Sequence, residues 1–487
     1  MSGADVAFGG APGALPLLVH ASLDATFAHR QGQAVTVRTF LQDVVRVAAA
    51  LPDRRHVLNA CADRYHFAVG LAAAMTRGQI SLLPPSYNQE MVRQVCDIHP
   101  DVYGLSEQSL PDLDMPQTLY PPRPHGSEGA SDPDEAQTIP AIDANQVIAC
   151  VFTSGSTGRP TEHVKRWGSL VRNVRMEAQR LGLSVDSGHS LVGTVPPQHM
   201  YGLESTVLLA WQSGAAMVAE RPFYPADISA VLAGLPSPKV LVTTPFHLRT
   251  WLAESADLPG VDLMVSATAP LASRLAREAE HRCGAPLIEV YGSTETGQLA
   301  TRRSAESAQW LSFNGLQLTE RDGRVWFSGG HLEAPIALSD VLELCDAAQA
   351  RPHVGGADNA PGTNFILHGR SADMVNVAGK RTSLAYLNLQ LGAIPGVLDG
   401  AFFWPESDDA GHGDGVVRLM AFVVAPGLDL AQLQAALRQR IDPAFMPRPL
   451  HLVDALPRNA TGKLPHAALL DLARRTAQAT HASASSV

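Results

Sequence analysis

Between residues 35 and 108, and again from 147 to 291, short apolar runs alternate with stretches of helical period, and this alternation narrows the fold more than any other feature. "VRTFLQDVVRVAAALP" repeats its apolar residues at helical spacing, "HVLNACA" has the length of a strand, "YHFAVGLAAAMTRG" is helical again and "ISLLPP" is again a strand. Strands separated by helices cannot pair as hairpins, so the pattern predicts βαβ units and a largely parallel sheet. "VIACVF", "HSLVGTVP", "KVLVTTP" and "PLIEVYG" carry the same signal further, interleaved with helix-like segments. From about 310 to 345 the character changes to short alternating pieces such as "GRVWFSGG", which suit antiparallel strands. The final segment, with "VVRLMAFVVAP" as strand and "LAQLQAALRQRI" as helix, is long enough for a small α+β domain. A chain of 487 residues exceeds one ordinary core. Residues 109–145 include "PPRPHGSEGASDPDEA", too poor in large apolar side chains to pack, and read as a surface excursion or linker.

Composition excludes several classes. A charged fraction of 17% with a net charge of -10 gives no basic surface to recruit nucleic acid, so no nucleic-acid partner is expected. The opening "SGADVAFGGAPGALPLLVHASLDA" lacks a basic segment followed by a sustained apolar one, which argues against a signal peptide. No run reaches membrane-spanning length. The five cysteines are scattered, without CxxC or Cys/His clusters, and fit a reducing cytoplasm rather than a disulfide framework or a structural zinc. As isolated residues they read mainly as small buried apolar side chains.

Four segments could carry chemistry. In "TSGSTGRPTEHVK", residues 153–165, the hydroxyls of Thr153, Ser154, Ser156 and Thr157 and the glycines Gly155 and Gly158 follow an apolar strand. Backbone N–H groups and hydroxyls gathered in this way suit a polyphosphate. The Walker pattern is not met, and a plain polar turn between a strand and the following helix reads equally well. "EVYGSTETGQ", residues 289–298, is a second strand running into a hydroxyl-rich turn, with Tyr291 as a flat face for a base, Thr294 as a hydroxyl for phosphate and Glu295 as an oxygen for a hard cation. Ligands of α/β folds gather beyond the C-terminal ends of strands, so two such turns weigh more than one. The third segment is "LHGRSADMVNVAGKRTSL", residues 367–384. The fourth is "LPRNATGKLPHAAL", residues 456–469, which holds Lys463, one of only four lysines (Lys165, Lys239, Lys380, Lys463) among 37 basic residues. Lysine is a compact charge on a long stem, suited to entering a narrow cleft where a planar guanidinium is bulky.

In order and spacing these four segments resemble the adenylate-forming superfamily of acyl-CoA synthetases, nonribosomal-peptide adenylation domains and luciferases, and the resemblance spans nearly the whole chain. "TSGSTGRP" is similar to the family's phosphate loop, "YGSTE" to its adenine and magnesium motif, "GRSADMVNVAGKR" to its interdomain junction and "PRNATGK" to its C-terminal lysine motif. The resemblance implies a large multi-sheet α/β domain over 1–369 that binds ATP and a carboxylate, and a small mobile α+β domain over 370–487 that carries the catalytic lysine. It implies an AMP-forming acid-thiol ligase: a carboxylate attacks the α-phosphate of ATP, pyrophosphate leaves, and the thiol of CoA or of a phosphopantetheinyl acyl carrier protein then displaces AMP. ATP and Mg2+ are the implied cofactors. The phosphate loop, Thr153, Ser154, Gly155, Ser156, Thr157 and Gly158, would wrap the β- and γ-phosphates. Tyr291 would pack on adenine, Thr294 would bond the α-phosphate and Glu295 the magnesium ion. Arg370 would contact ribose or phosphate, and Arg381 would reach phosphate in one domain orientation. Asp340 in "IALSDVLEL" stands about where the family keeps a ribose-binding aspartate, without the usual flanking "TGD", and reads equally as a strand or turn carboxylate. His199 in "PPQHMYGLEST" matches a position that borders the acyl pocket.

The departures mark an outlying branch. Thr161 stands where the phosphate loop ordinarily ends in lysine, Ala372 beside Asp373 replaces the hinge residue, "KRTSLAYLN" lacks the usual glutamates, and "LPH" follows Lys463. "TGRPTEHVKRWGSL" is similar to stand-alone ligases of bacterial aryl-polyene and related pigment pathways, which implies an aryl or unsaturated acid. Two other readings stand beside the ligase: a same-fold enzyme that uses the adenylate without a thiol, as in β-lactone formation, and a non-catalytic relative that binds nucleotide or a carrier domain.

Overall fold

The computed structural model describes residues 13–111, 113–122, 138–154, 160–254, 257–345, 362–370, 374–377, 380–405, 418–459 and 462–484. The N-terminal part is built on two large sheets. The first runs in the order Pro160–Arg166, Val147–Ser154, Ile80–Leu83, His56–Asn59, Tyr103–Ser106, Gln117–Leu119, parallel throughout except for the antiparallel first pair. The second has a parallel centre, Leu287–Ser293, Leu263–Ser266, Lys239–Thr243, Ser190–Gly193, Ala216–Val218 and Thr26–Arg30, with antiparallel strands added at both edges. The expected βαβ alternation accounts for both centres. One antiparallel edge comes from the short pieces after residue 297, the other from Gln33–Thr36 paired with Thr26–Arg30.

Helix Arg64–Thr76 shows why the sheets stack. Its "RYHFAVGLAAAMT" is apolar on every side, and Phe67, Ala68, Leu71, Ala72 and Met75 are all buried in the shared core. A helix apolar all round has no face to give to water and belongs between layers. Asp63 caps its N-terminus by accepting from the His66 amide, which fixes where the helix begins. Helix Trp167–Leu181 and the segment Met200–Ser213 fill the same interlayer and join the same core.

The C-terminal part has its own core of Leu387, Leu391, Phe402, Ala421, Val423, Leu433 and Leu437. A hairpin, Met374–Val377 with Lys380–Ser383, precedes a sheet of Asp399–Phe403, Met420–Val424 and Leu450–Leu452. Helices Leu384–Gly392 and Leu430–Arg438 pack on it, the second begun by a full capping box at Asp429 and Gln432. The whole is a large α/β N-terminal domain with a smaller α+β C-terminal one, as the sequence pattern predicts. No helix among the described residues is long and apolar enough to cross a membrane.

One local expectation is revised. The hydroxyl-rich loop after Val147–Ser154 does not lead directly into a helix. It leads into the strand Pro160–Arg166, which pairs back with Thr161 opposite Thr153 and His163 opposite Val151. The two strands are therefore antiparallel neighbours, and helix Trp167–Leu181 starts only after the second.

Candidate active site

The turn Ser293–Thr296 closes the strand Leu287–Ser293 at its C-terminal end. The Ser293 hydroxyl accepts from the Thr296 amide at 3.3 Å and lies 3.1 Å from the Thr296 hydroxyl, so the turn is tied across its base. The chain returns through Gly297 at φ +69, where an added Cβ would lie 2.9 Å from Glu204 Oε1 and 3.0 Å from Asn173 Oδ1. Glycine is therefore required there on both backbone and steric grounds. Thr294 and Glu295 form the outer corner, and the Glu295 side chain is about half exposed.

The hairpin of the first motif faces this turn. His163 Nε2 lies 3.0 Å from Thr153 Oγ1 and 3.6 Å from Glu295 Oε1, so one imidazole spans the two motifs. Burial works against ionisation of Glu295. Hydrogen bonding from Ser293 and from its own backbone, with His163 and Lys165 nearby, more than offsets that and holds the carboxyl below its ordinary range. Burial lowers the His163 pKa although Glu295 opposes the shift. The outcome is an ionised carboxylate next to a neutral imidazole. Ser154 ends the strand, with its side chain outside the described residues, and Gly155, Ser156, Thr157 and Gly158 lie outside them altogether.

Tyr291, two residues before the turn, packs against Trp310 at 5.5 Å and Phe365 at 6.0 Å. Its ring is only partly buried, which leaves surface for a second flat partner. Asp340 begins the edge strand Asp340–Leu344 directly opposite Arg370, the last residue of Asn364–Arg370. Two residues far apart in sequence thus share one register position, and the ribose assignment of both becomes one geometric question. The side chains of Arg370 and Arg381 lie outside the described residues, as do Ala372 and Asp373.

His199 caps the segment Met200–Ser213, with its carbonyl accepting from the Leu203 amide at 2.8 Å. Burial lowers its pKa to about 4, and the charges of Lys463 and Arg221 push the same way. Lys463 thus places its charge near the wall residue singled out for the acyl pocket. The Lys463 loop is closed on itself by Asn459, whose side chain accepts from the Lys463 amide at 2.9 Å while its own amide donates to the Lys463 carbonyl at 2.9 Å. Gly462, at φ +75, rests on the N-terminal domain: a Cβ there would lie 3.1 Å from Phe246 Cβ. Arg458 ties the base of the loop, donating to the Gly462 carbonyl at 2.8 Å and forming two 2.7 Å bonds to the Asp399 carboxylate. Arg249 of helix Pro245–Glu254 crosses from the other domain to the Leu398 carbonyl at 2.8 Å and to Asp399 at 3.4 Å.

The first hairpin thus meets the Ser293–Thr296 turn through His163, and a lysine loop from the second domain packs on Phe246 of the first. The AMP-binding enzyme family model matches residues 19–320. The chain belongs to this family. A 4-coumarate–CoA ligase of Rhodobacter capsulatus is 29% identical over 324 residues, covering 66% of this chain and 75% of that protein. An indoleacetate–CoA ligase of Aromatoleum aromaticum is 25% identical over 355 residues, with 68% of each chain covered. Among solved structures, ATP-bound MatB from Rhodopseudomonas palustris aligns with a TM-score of 0.74 at 17% identity, over 93% of this chain and 96% of that one. The anthranilate CoA ligase AuaEII in complex with anthranoyl-AMP gives 0.73 at 17%, over 95% and 98%. These two likenesses establish the adenylate-forming fold along nearly the full length. This family member is an enzyme of the AMP-forming type, which activates a carboxylate as its acyl-adenylate.

Sequence reading alone overlooks several buried polar residues of the N-terminal domain. Lys165 is buried and donates to the Thr294 carbonyl and, at 3.4 Å, to that of Glu295. Glu177 is buried, accepts from Ser205 at 2.7 Å and has its pKa raised by burial to about 7. Glu204, on the π-helical stretch Leu203–Leu208, is also raised by burial, an effect that Glu177 reinforces and Lys165 opposes. His247 is buried, with Nδ1 2.9 Å from the Thr244 hydroxyl, and Phe223 meets its ring edge-on at 5.1 Å. Lys165 was visible as one of the four lysines. The others gave no signal, because an isolated Glu or His in an apolar run looks the same whether or not it faces a site.

Proposed function

We propose that this enzyme joins an aryl or unsaturated carboxylic acid to the thiol of CoA or of a phosphopantetheinyl acyl carrier protein, in two half-reactions at the site just described. The carrying observation is that the Lys463 loop of the C-terminal domain packs on Phe246 of the N-terminal domain, close enough for the Lys463 charge to act on His199. In the first half-reaction an oxygen of the acid attacks the α-phosphorus of ATP and the bond to pyrophosphate breaks. Negative charge gathers between acid and phosphate, and the Lys463 ammonium is delivered there. Removing one pre-organised donor of this kind typically costs about 3 kcal/mol. In the second, the thiol loses its proton, its sulfur attacks the acyl carbon and AMP departs.

The remaining assignments follow from position. Tyr291 offers a partly exposed ring braced by Trp310 and Phe365, suited to stacking on adenine. Thr294 presents its hydroxyl to the α-phosphate. Thr153 and Ser154, with Gly155, Ser156, Thr157 and Gly158, serve the outer phosphates. Arg370 and Asp340, paired in register, serve ribose, and Arg381 serves phosphate when the small domain turns.

Glu295 fits a magnesium ion shared with the phosphates. It is a half-exposed, ionised carboxylate, held only loosely by His163 at 3.6 Å. Among the described residues no group of three or more His, Cys, Asp or Glu gathers, so the rest of such a shell would be phosphate oxygen and water, the ordinary habit of this ion. When bound, the ion would neutralise phosphate charge.

The aryl preference is supported by the segment 157–170, with its resemblance to pigment-pathway ligases, and by named relatives whose acids are coumarate and indoleacetate. The test is acid-dependent exchange of labelled pyrophosphate into ATP across a panel of aromatic, polyenoic and short aliphatic acids, followed by CoA and holo carrier protein offered side by side. Exchange confined to short aliphatic acids contradicts the substrate class; no exchange with any acid contradicts the reaction.

A further inference from the structure

Thr161 removes the lysine that ordinarily ends the phosphate loop, yet four residues later on the same strand stands a buried one. Residues 161, 163 and 165 of Pro160–Arg166 alternate onto one face, and the bulge in this strand falls only after Lys165. At about 3.3 Å per residue, Lys165 sits roughly 13 Å along the strand from Thr161. A lysine side chain does not span that distance, so Lys165 cannot put its charge where the missing one would be. Its ammonium goes instead to the back of the Ser293–Thr296 turn, onto the carbonyls of Thr294 and Glu295. The next carbonyl, Thr296, lies 2.7 Å from His331 Nε2. Three consecutive peptide planes of the turn are thereby held from behind, and those planes set the directions in which the Thr294 and Glu295 side chains leave the backbone.

A bland alternative is that Lys165 merely satisfies two buried carbonyls. A neutral donor does that without desolvating a charge, and Lys165 is only 8% exposed. The protein also keeps Glu204 in its electrostatic vicinity, 2% exposed and with Oε1 lacking any hydrogen-bond partner, without an ion pair to Lys165. A carboxyl held back from contact leaves the ammonium committed to the turn.

We propose that Lys165 is a positioning residue for adenylation, fixing the Thr294–Glu295 peptide planes so that the hydroxyl and the carboxylate meet the nucleotide together. This rests on the ligase reading above. Lys165→Met keeps the stem and removes the donor. Per active site, counted from the pyrophosphate burst, its exchange kcat falls about 10- to 100-fold, the loss expected of a misplaced reacting group, while KM for the acid moves little. By calorimetry, the gain in ATP affinity that magnesium brings to the wild type shrinks in the variant. Lys165→Arg, which restores a charged donor, recovers most of both losses. Adding Thr161→Lys to Lys165→Met recovers neither, because charge at the loop does not orient the turn. Where Lys165→Met fails to fold, judged by circular dichroism and gel filtration, Lys165→Leu, which also lacks a donor, takes its place with the same expectations.

Wild-type kcat and wild-type magnesium dependence in a folded variant overturn the proposal, and so does recovery by Thr161→Lys, which would make Lys165 a phosphate charge. If the wild type exchanges no pyrophosphate with any acid, the ligase reading fails instead. The calorimetric comparison then still decides whether Lys165 orients the turn.

Discussion

Arg249→Met tests how the small domain is held over the site. Arg249 is the cross-domain strut: it donates to Leu398 and leans on Asp399, which Arg458 already grips with two bonds. A charged hydrogen bond contributes about 1.5–3 kcal/mol when shielded from water. The Arg249 side chain is 35% exposed, and screening at that exposure reduces the figure to about 1 kcal/mol. Because Arg458 continues to satisfy Asp399, no buried charge is orphaned, and the expected loss is up to roughly fivefold in the docked population. Asp399→Asn goes deeper. It disrupts a bidentate pair whose side chains are 19% and 16% exposed, frees the base of the Lys463 loop, and is expected to cost about 2–3 kcal/mol. Single-turnover rapid quench separates the halves, with acyl-adenylate formation followed from ATP and thioester formation followed from preformed adenylate. Arg249→Met slows the first modestly, Asp399→Asn slows it more, and neither slows the second. Equal slowing of both halves, or a milder effect from Asp399→Asn than from Arg249→Met, refutes this picture of docking.

Glu177→Gln should stabilise the protein at alkaline pH. The Glu177 pKa rises from 4.5 to about 7 on burial, so between those values the folded chain binds the extra proton and stability falls as pH rises through them. At about 1.4 kcal/mol per unit the full effect is about 3 kcal/mol, seen as a higher Tm for the variant at pH ~8 that vanishes below pH ~5. The opposite sign applies to His20, His199, His247 and His331, each lowered from 6.5 to about 4 chiefly by burial. There the unfolded chain binds the proton first, so stability is lost as pH falls from 6.5 towards 4. Thermal melts across that range should show a steep decline, which replacing His331 by Gln makes shallower.

Much of the fold is legible in the sequence because burial imposes a pattern. Helix Val37–Ala50 shows its period directly, and helix Arg64–Thr76 announces an interlayer position by being apolar all round. The strand Pro160–Arg166 is not legible in this way. Its alternate residues face the site rather than a core, so Thr161, His163 and Lys165 break the apolar rhythm by which strands are recognised. The site motifs could be located, but not their partners. Lys165 meets Thr294 across 129 residues and Arg249 meets Asp399 across 150, and pairings of that range leave no local trace. Lys463 is an intermediate case. Its rarity and its neighbouring glycine are visible in sequence, whereas its approach to His199 exists only once two domains pack.

The most direct measurement is pyrophosphate exchange by Lys463→Ala alongside thioester formation from supplied acyl-adenylate. If Lys463 is the charge that the small domain delivers to the first half-reaction, exchange falls by about two orders of magnitude, in keeping with a lost donor, while transfer from the preformed adenylate stays within a few-fold of wild type. Exchange at the wild-type rate, or an equal loss in both half-reactions, contradicts the account.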